Sequence, residues 1–273
     1  MPSFVCPLAS GSLGNALVVA SRGTRVLVDA GLSQRRLKAG LRAVGVEPDE
    51  VSAVFLTHTH RDHFSPAAVG FCLAHSVPVY SSAENLDHLS ATLPAMARLE
   101  GAGLARPMDG EPVAVGDLLV EAFDVPHDAP GWCQGFRFRF GPPRRRSSVT
   151  VATDLGHVPG DALAWFVDSS AVVIESNHDP DMLRASTRPA DLKARIAGLH
   201  GHLSNETAAE ALAEIVGRSH PGRVRDVVLA HLSRDCNTPA LALEAQAHLA
   251  RGRGGAVRVV AATQFEPGPR IEM

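Results

Sequence analysis

Short apolar runs alternate with turns rich in Gly, Pro and Ser along the chain, a pattern of many brief elements rather than a few long helices. Phe4 to Cys6, Ala16 to Ala20 and Arg25 to Val28 are β-type runs. Between the first two, Ser10-Gly11-Ser12-Leu13-Gly14-Asn15 has the composition of a tight loop. Ser33 is placed to cap a helix in which Leu37, Leu41 and Val44 share one face, ending near Gly45. Val51 to Leu56 predicts a buried strand, and Ser65-Pro66 opens a helix over Ala67 to His75. A short strand at Val79 to Ser81 precedes a stretch of mixed pattern that fixes no element.

Two strands follow at Leu118 to Val125 and Trp132 to Phe140, the second alternating Phe136, Phe138 and Phe140 with Arg137 and Arg139. Gly141-Pro142-Pro143 turns the chain into a return strand over Ser148 to Thr153. The last third alternates between the two element types. A strand at Ala171 to Ile174 leads to helices near Asp181 to Arg184 and Ala190 to Ile196. A helix from Ser204 to Gly217 then leads to a strand over Val224 to Ala230, and Thr238-Pro239 opens a final helix to about Ala250. Strands and helices mixed throughout, with no linker or repeat, predict one α/β domain over residues 1–273.

Composition agrees. A chain of 273 residues with 45% apolar content can bury a substantial core. The net charge of −3 supplies no global attraction for nucleic acid, although bound cations would change the balance locally. Cys6, Cys72, Cys133 and Cys236 are widely spaced and form no CxxC pair, which suits reduced thiols in a cytoplasmic protein. Neither a signal-peptide pattern nor an apolar run long enough for a bilayer is present, so no membrane association is expected.

Chemistry concentrates in His58-Thr59-His60-Arg61-Asp62-His63, directly after a predicted strand. Four ligand-type side chains within six residues are costly to crowd together unless a cation organises them. Extended backbone sets His58 and His60 on one side, and the turn that follows can aim Asp62 and His63 at a neighbouring position.

Further motifs accompany the cluster: Pro126-His127-Asp128-Ala129, Thr153-Asp154-Leu155-Gly156, Glu175-Ser176-Asn177-His178-Asp179, Gly201-His202-Leu203-Ser204-Asn205 and Ala230-His231-Leu232-Ser233. Together they resemble the metallo-β-lactamase superfamily, and within it the YycJ/WalJ-type branch of nucleases. The resemblance implies a four-layer αββα sandwich. It implies one divalent ion, Zn²⁺ or Mn²⁺, on His58, His60 and His127, and a second on Asp62, His63 and His231, with Asp154 bridging. His127, Asp154 and His231 each follow a predicted strand, as converging sheet-end ligands would. Asp29 is placed either to orient a ligand histidine or simply to end a strand.

Two divalent ions about 3.5–4 Å apart can share a hydroxide, assisted by Asp62, and neutralise an anionic substrate, so hydrolysis is the natural reaction. A sugar alkoxide leaving group benefits from a proton donor, and a resemblance to the tRNA-processing branch of the same fold implies that Glu175 and His202 form one. The YycJ/WalJ-type resemblance implies a DNA exonuclease of 5′→3′ polarity acting in DNA repair. A small-molecule phosphodiesterase, a thioester or lactone hydrolase, and a non-catalytic nucleic-acid-binding module are the competing readings.

Arg35, Arg36, Lys38 and Arg42, then Arg137, Arg139 and Arg144 to Arg146, then Arg184, Arg188, Lys193 and Arg195 are the basic sets available for phosphate. The sequence departs from the branch in two places. Ala185-Ser186-Thr187-Arg188-Pro189 stands where a Gly-x-Tyr-Pro stretch is usual, and Cys236-Asn237 replaces paired asparagines after His231.

Overall fold

Period-two alternation gives each strand one face for a partner sheet and one for helices, and the observed sheets use both. The computed structural model describes residues 3–141, 147–249 and 256–273. The first sheet is built from β1 (Phe4–Ala9), β2 (Ala16–Ala20), β3 (Arg25–Val28), β4 (Val51–Phe55), β5 (Val79–Ser81) and β6 (Ala105–Pro107) in that order. The second runs from β7 (Val113–Val115) through β8 (Leu118–Asp124), β9 (Gln134–Phe140), β10 (Ser147–Ala152), β11 (Ala171–Glu175) and β12 (Asp226–Ala230) to β13 (Arg258–Ala261). β14 (Ile271–Glu272) pairs with β1 and closes that edge of the first sheet.

Val19, Val28 and Phe55 of the first sheet pack with Phe136, Phe138 and Val173 of the second, so the two sheets bury their inner faces against each other. α1 (Gln34–Ala43), α2 (Pro66–His75), α3 (Ala83–Thr92) and α4 (Met96–Gly101) cover the outer face of the first sheet. α5 (Gly160–Phe166), α8 (Asn205–Arg218) and α9 (Pro239–Ala245) cover that of the second. α6 (Pro180–Ala185) and α7 (Ala190–Ile196) lie between β11 and α8. The four-layer αββα arrangement expected from the sequence is the one observed.

Caps fall where side chains predict them. Ser33 accepts from the Arg36 amide at 3.4 Å, Ser204 from Thr207 at 3.1 Å and Thr238 from Leu241 at 3.2 Å. Trp132 lies outside β9 and Val224 outside β12, while the final helix stops at Ala245. Elements α3 to α5, β6, β7, β13 and β14 carry no clear sequence signal. Three of these strands hold two or three residues, too few to establish a period, and α3 buries only Asn85, Leu86 and Leu89. Pro142, Pro143, Arg144 to Arg146 and Ala250 lie outside the described residues.

β3 to β6 run parallel in one sheet and β10 to β13 in the other. Asp29 follows β3, His58 follows β4, Asp154 follows β10 and His231 follows β12, while Glu175 ends β11. Parallel sheets gather chemistry at their carboxyl ends for this reason: each crossover returns the chain to the same edge.

Close backbone docking holds that edge together. Ala30 N–H donates to His63 O at 2.9 Å, Asn15 N–H to Asp62 O at 2.7 Å, and Gly31 N–H to Asn15 O at 2.8 Å. A Cβ on Gly31 would lie 1.6 Å from Asp62 O, a backbone atom with no room to retreat. Gly31→Ala is therefore expected to cost about 2 kcal/mol, lowering Tm by roughly 4–8 °C in thermal denaturation. Gly160→Ala, whose new carbon meets nothing within 4 Å, should stay within about 2 °C of the parent.

Candidate metal centre

The turn after β4 folds the histidine cluster back on itself. His63 and Phe64 amides both donate to His60 O at 3.0 Å, which carries His63 round beside His58. His58, His60 and His127 then present ring nitrogens within 4.8 Å of one another, as do the ligand atoms of Asp62, His63 and His231. His58 Nε2 is 3.1 Å from His60 Nδ1, and His127 Nε2 is 3.4 Å from that same nitrogen.

Asp154 lies between the two groups. Its Oδ2 is 3.2 Å from His63 Nε2, its Oδ1 is 3.3 Å from His231 Nδ1, and it clusters with His58 as well. The seven side chains singled out in the sequence thus meet at one place, despite coming from both sheets.

Three of the candidate ligand imidazoles, His63, His127 and His231, are oriented from behind by carboxylates or a carbonyl. His63 Nδ1 donates to Asp29 Oδ2 at 2.7 Å, and Asp29 Oδ1 accepts from the Thr57 amide at 2.9 Å. His127 Nδ1 donates to Gly201 O at 3.1 Å, which leaves the Nε2 lone pair for the centre. His231 Nδ1 donates to Glu175 Oε1 at 2.8 Å. Asp29 therefore orients a histidine rather than merely ending a strand.

Glu175 is fully buried and completely engaged. Oε1 accepts from both His202 and His231 at 2.8 Å, while Oε2 accepts from the Leu155 and Leu203 amides at 3.0 and 3.2 Å. It does not end its strand in solvent. His202 keeps about a fifth of its side chain exposed, so it connects a buried carboxylate to the cleft.

Electrostatics divide the site into unequal halves. Burial, followed by the neighbouring His63, pushes His58 well below the usual imidazole range, and burial with His127 lowers His60. Burial also works against charge on His231, but Asp154, Asp62 and Glu175 outweigh it and raise its pKa to about 10. Burial would lift Glu175, yet His202 and His231 bring it down to about 2. Asp154 likewise resists burial and is held well below the carboxylate range by His231 and His63.

The donor set was tested against a cation on two atoms. Asp154 Oδ2 and His231 Nε2 are buried with no hydrogen-bond partner, at a place where an unsatisfied group is costly. A divalent ion accepting both, amid neutral imidazoles and carboxylates, satisfies them, and the N/O set suits Zn²⁺ or Mn²⁺.

Several supporting residues escaped the sequence reading. Asn15 Nδ2 reaches His63 Nε2 at 3.0 Å and Asp62 Oδ2 at 3.3 Å. Asn177 Nδ2 donates to His231 O at 2.8 Å, and Ser10 Oγ accepts from the His231 amide at 2.7 Å. The loop composition from Ser10 to Asn15 and the Glu175-to-Asp179 motif around Asn177 hinted at this.

Of the basic sets, Arg188 and Arg195 line a cavity of about 140 Å³ that includes His202, Asn177 and Ser12. Asp235 holds the first at 3.3 Å, and Asp128 accepts from Arg195 Nη2 at 3.0 Å. Arg139 pairs with Glu121 and Arg42 with Glu47, so those cations serve the scaffold. His178 is buried behind the cleft, His157 bonds Leu199 O, and Cys236 packs with Leu183 and Ile196.

Comparison with known proteins places this geometry. Residues 24–231 match the family model described as beta-lactamase superfamily domain. The chain is 33% identical to exodeoxyribonuclease YycJ of Bacillus anthracis, with 86% of this chain and 84% of that protein aligned. It is 32% identical to exodeoxyribonuclease WalJ of Streptococcus pneumoniae, over 86% of this chain and 83% of the relative. Among solved structures, unliganded yeast PDE1 superposes with a TM-score of 0.70 at 15% identity, covering 98% of this chain and 99% of that one. The metallo-beta-lactamase fold protein YhfI from Bacillus subtilis gives 0.67 at 16% identity, covering 98% and 100%. At such identities the structural likeness concerns the fold.

A proton count tests the centre. Ligation requires a neutral imidazole, whereas the metal-free chain keeps His231 protonated up to about 10, above the ordinary 6.5. Near pH 8, between those two values, loading with Zn²⁺ or Mn²⁺ should release about one proton or more per chain, and affinity should weaken as pH falls. Titration calorimetry in buffers of different ionisation enthalpy reads the count; binding without release would place the ion elsewhere.

Proposed function

The chain belongs to the metallo-β-lactamase superfamily, in the branch of the YycJ and WalJ exodeoxyribonucleases, and from that premise we propose that this metal-dependent hydrolase is a DNA exonuclease degrading a strand from its 5′ end. The observation carrying the reading is the buried Glu175 carboxylate 2.8 Å from His202 Nδ1, beside the candidate centre. A thiolate departs unaided; a sugar oxygen does not, and a histidine poised on a buried carboxylate is the equipment for it. We take residues 1–273 as one domain, since both sheets contribute to the centre.

In this reading His58, His60 and His127 hold one ion, and Asp62, His63 and His231 a second, with Asp154 shared. When bound, such ions supply charge neutralisation at the phosphate and acidify water. The chain's own residues do the rest. Asp62, with about a quarter of its side chain exposed, takes a proton from the attacking water. The water oxygen bonds to phosphorus as the bond from phosphorus to O3′ breaks. His202 passes its Nε2 proton to O3′, while Glu175 holds Nδ1 and steadies the charge on the ring before transfer. Solvent then takes the proton from Asp62 and returns one to His202 Nε2. Burial and Glu175 act in opposite directions on His202, and the carboxylate prevails, raising its pKa and so favouring the donor form.

Arg188 and Arg195 line the same cavity as His202, each held by an acid, Asp235 and Asp128, and offer their remaining N–H groups to the phosphate-rich strand on the leaving-group side. Hydrolysis there releases nucleotides that keep their 5′ phosphate.

Digestion of end-labelled single- and double-stranded DNA with Mn²⁺ or Zn²⁺ tests the proposal. Label at the 5′ end should appear at once as mononucleotide, whereas label at the 3′ end should persist in a shortening ladder. Turnover of small diesters with no attack on DNA would make the protein a small-molecule phosphodiesterase. DNA binding without turnover in metal-replete protein would make it a binding module.

The proton-donor role has its own signature. His202→Ala should lower kcat on DNA by roughly 10²–10⁴-fold with metal content unchanged. On a p-nitrophenyl ester, whose leaving group needs no proton, the loss should fall below about tenfold. Equal losses on both substrates would assign His202 to binding or to structure.

A further inference from the structure

Away from the ligand cluster, Phe265 spends its ring on solvent. It is 64% exposed, and Leu13, 51% exposed, stands on the loop bonded to it; two other large hydrophobics among the described residues, Leu199 and Leu243, are similarly uncovered. The backbone beneath Phe265 is firmly held. Ser10 N–H donates to Thr263 O at 2.9 Å, Arg36 Nη2 donates to Gln264 O at 2.7 Å, and Thr263 Oγ1 donates to Glu266 O at 3.0 Å. Gln264 fastens the segment to the loop before β2: its Oε1 accepts from the Leu13 amide at 2.8 Å and its Nε2 donates to Gly14 O at 3.0 Å. An exposed ring on a fixed backbone loses little freedom when something stacks on it.

Its surroundings identify what would stack. The Arg36 guanidinium carbon sits 5.7 Å from the ring centroid. Leu13 and Asp62 line one open groove of about 580 Å³, which also includes Arg61 and Ser33, the residue that caps the helix carrying Arg36. The groove thus runs from Leu13, whose amide bonds the side chain of Gln264 next to Phe265 in the chain, to Asp62, a candidate ligand of the centre. Arg36, Arg61 and the exposed Arg35 make its flank basic in a chain whose net charge is −3. One aromatic among cations, at the end of a groove that reaches the reaction centre, matches a single nucleic-acid strand, in which every base offers a face and every linkage a charge. A protein interface of useful size would need far more apolar area.

We propose that Phe265, braced by Arg36 and flanked by Leu13, is a stacking platform for a base of the single strand lying in the Leu13–Asp62 groove. The proposal rests on the nucleic-acid reading above. It adds a contact to the strand apart from the Arg188–Arg195 cavity, and Ser12 lines both spaces.

Steady-state kinetics of the metal-loaded enzyme separate the two ideas. With a fluorescent single-stranded oligonucleotide, Phe265→Ala should raise KM about tenfold while kcat stays within about twofold, and Phe265→Trp should restore the parent KM. Hydrolysis of bis-p-nitrophenyl phosphate should be unchanged in both variants. An oligonucleotide made abasic along the groove should bind parent and Phe265→Ala alike. If the parent digests DNA and Phe265→Ala has the same KM, the platform falls and the nuclease stands. If the parent cleaves only the small diester, both fall. Unchanged KM with altered self-association would give the ring to a protein contact instead.

Discussion

Three carboxylates are buried at the strand ends, and their compensation organises the rest of the site. Asp29, Asp154 and Glu175 are at most 2% exposed. Moving an isolated carboxylate from water into such surroundings costs several kcal/mol, so each must find hydrogen-bond donors that folding itself brings up. Asp29 takes the Thr57 amide and His63; Glu175 takes two amides, His202 and His231; Asp154 faces His63 and His231. The imidazoles needed as candidate ligands are the same groups that make burying the carboxylates tolerable. Folding and the chemistry of the centre are therefore one problem here, and a divalent ion completes a balance that the protein alone leaves with two stranded atoms, Asp154 Oδ2 and His231 Nε2.

That balance is reached with strained backbone. Asp29, Asp154 and His231 have φ of 60°, 59° and 52°, in the left-handed region that residues with a Cβ seldom occupy. Each stands just past the end of a parallel strand, where a sharp change of direction swings the side chain across the sheet edge. Strain of this kind costs about 1–3 kcal/mol per residue and persists only where surrounding contacts over-determine the conformation. Those contacts are on hand: Phe55 O accepts the Asp29 amide at 2.9 Å and Ser10 Oγ the His231 amide at 2.7 Å. The exacting packing at Gly31 belongs to the same frame, because it presses the first sheet's loop against the backbone of Asp62 and His63.

Legibility from sequence followed how local each signal is. The cluster from His58 to His63 is six residues of contiguous chemistry, so it could be read without a fold. His127, Asp154 and His231 are single letters after strands; they became readable through a pattern shared with a family and through their common position at strand ends. The burial of Glu175 followed from neither. It depends on the Leu155 and Leu203 amides arriving from two separate loops, a coincidence of tertiary structure. Asn15 and Asn177 stood inside a recognisable loop and motif, but neither says which atoms an asparagine side chain will hold, and that is fixed only by tertiary structure. Short edge strands such as β7 and β14 escaped because their pairing partners, not their own residues, make them strands.

The two flanks of the centre bear on how the sequence departs from its branch. Arg188 comes from the segment joining α6 to α7, where Ala185-Ser186-Thr187-Arg188-Pro189 replaces the usual Gly-x-Tyr-Pro stretch, and Asp235 holds it beside the Cys236-Asn237 change. The first departure is thus tied by an ion pair to the residue that precedes the second. Asn237 keeps a structural post, donating to Ser176 O and Asn177 O at 2.8 and 3.0 Å, so the backbone that carries Asn177 behind His231 is preserved. What changes is the wall facing His202: the aromatic before Pro189 gives way to the Arg188 guanidinium, held in place by acid. A planar cation with a fixed fork favours a phosphate over the face of a base. On the proposed reading that wall meets phosphate, and base stacking falls to Phe265, beyond the loop whose Ser12 lines both spaces.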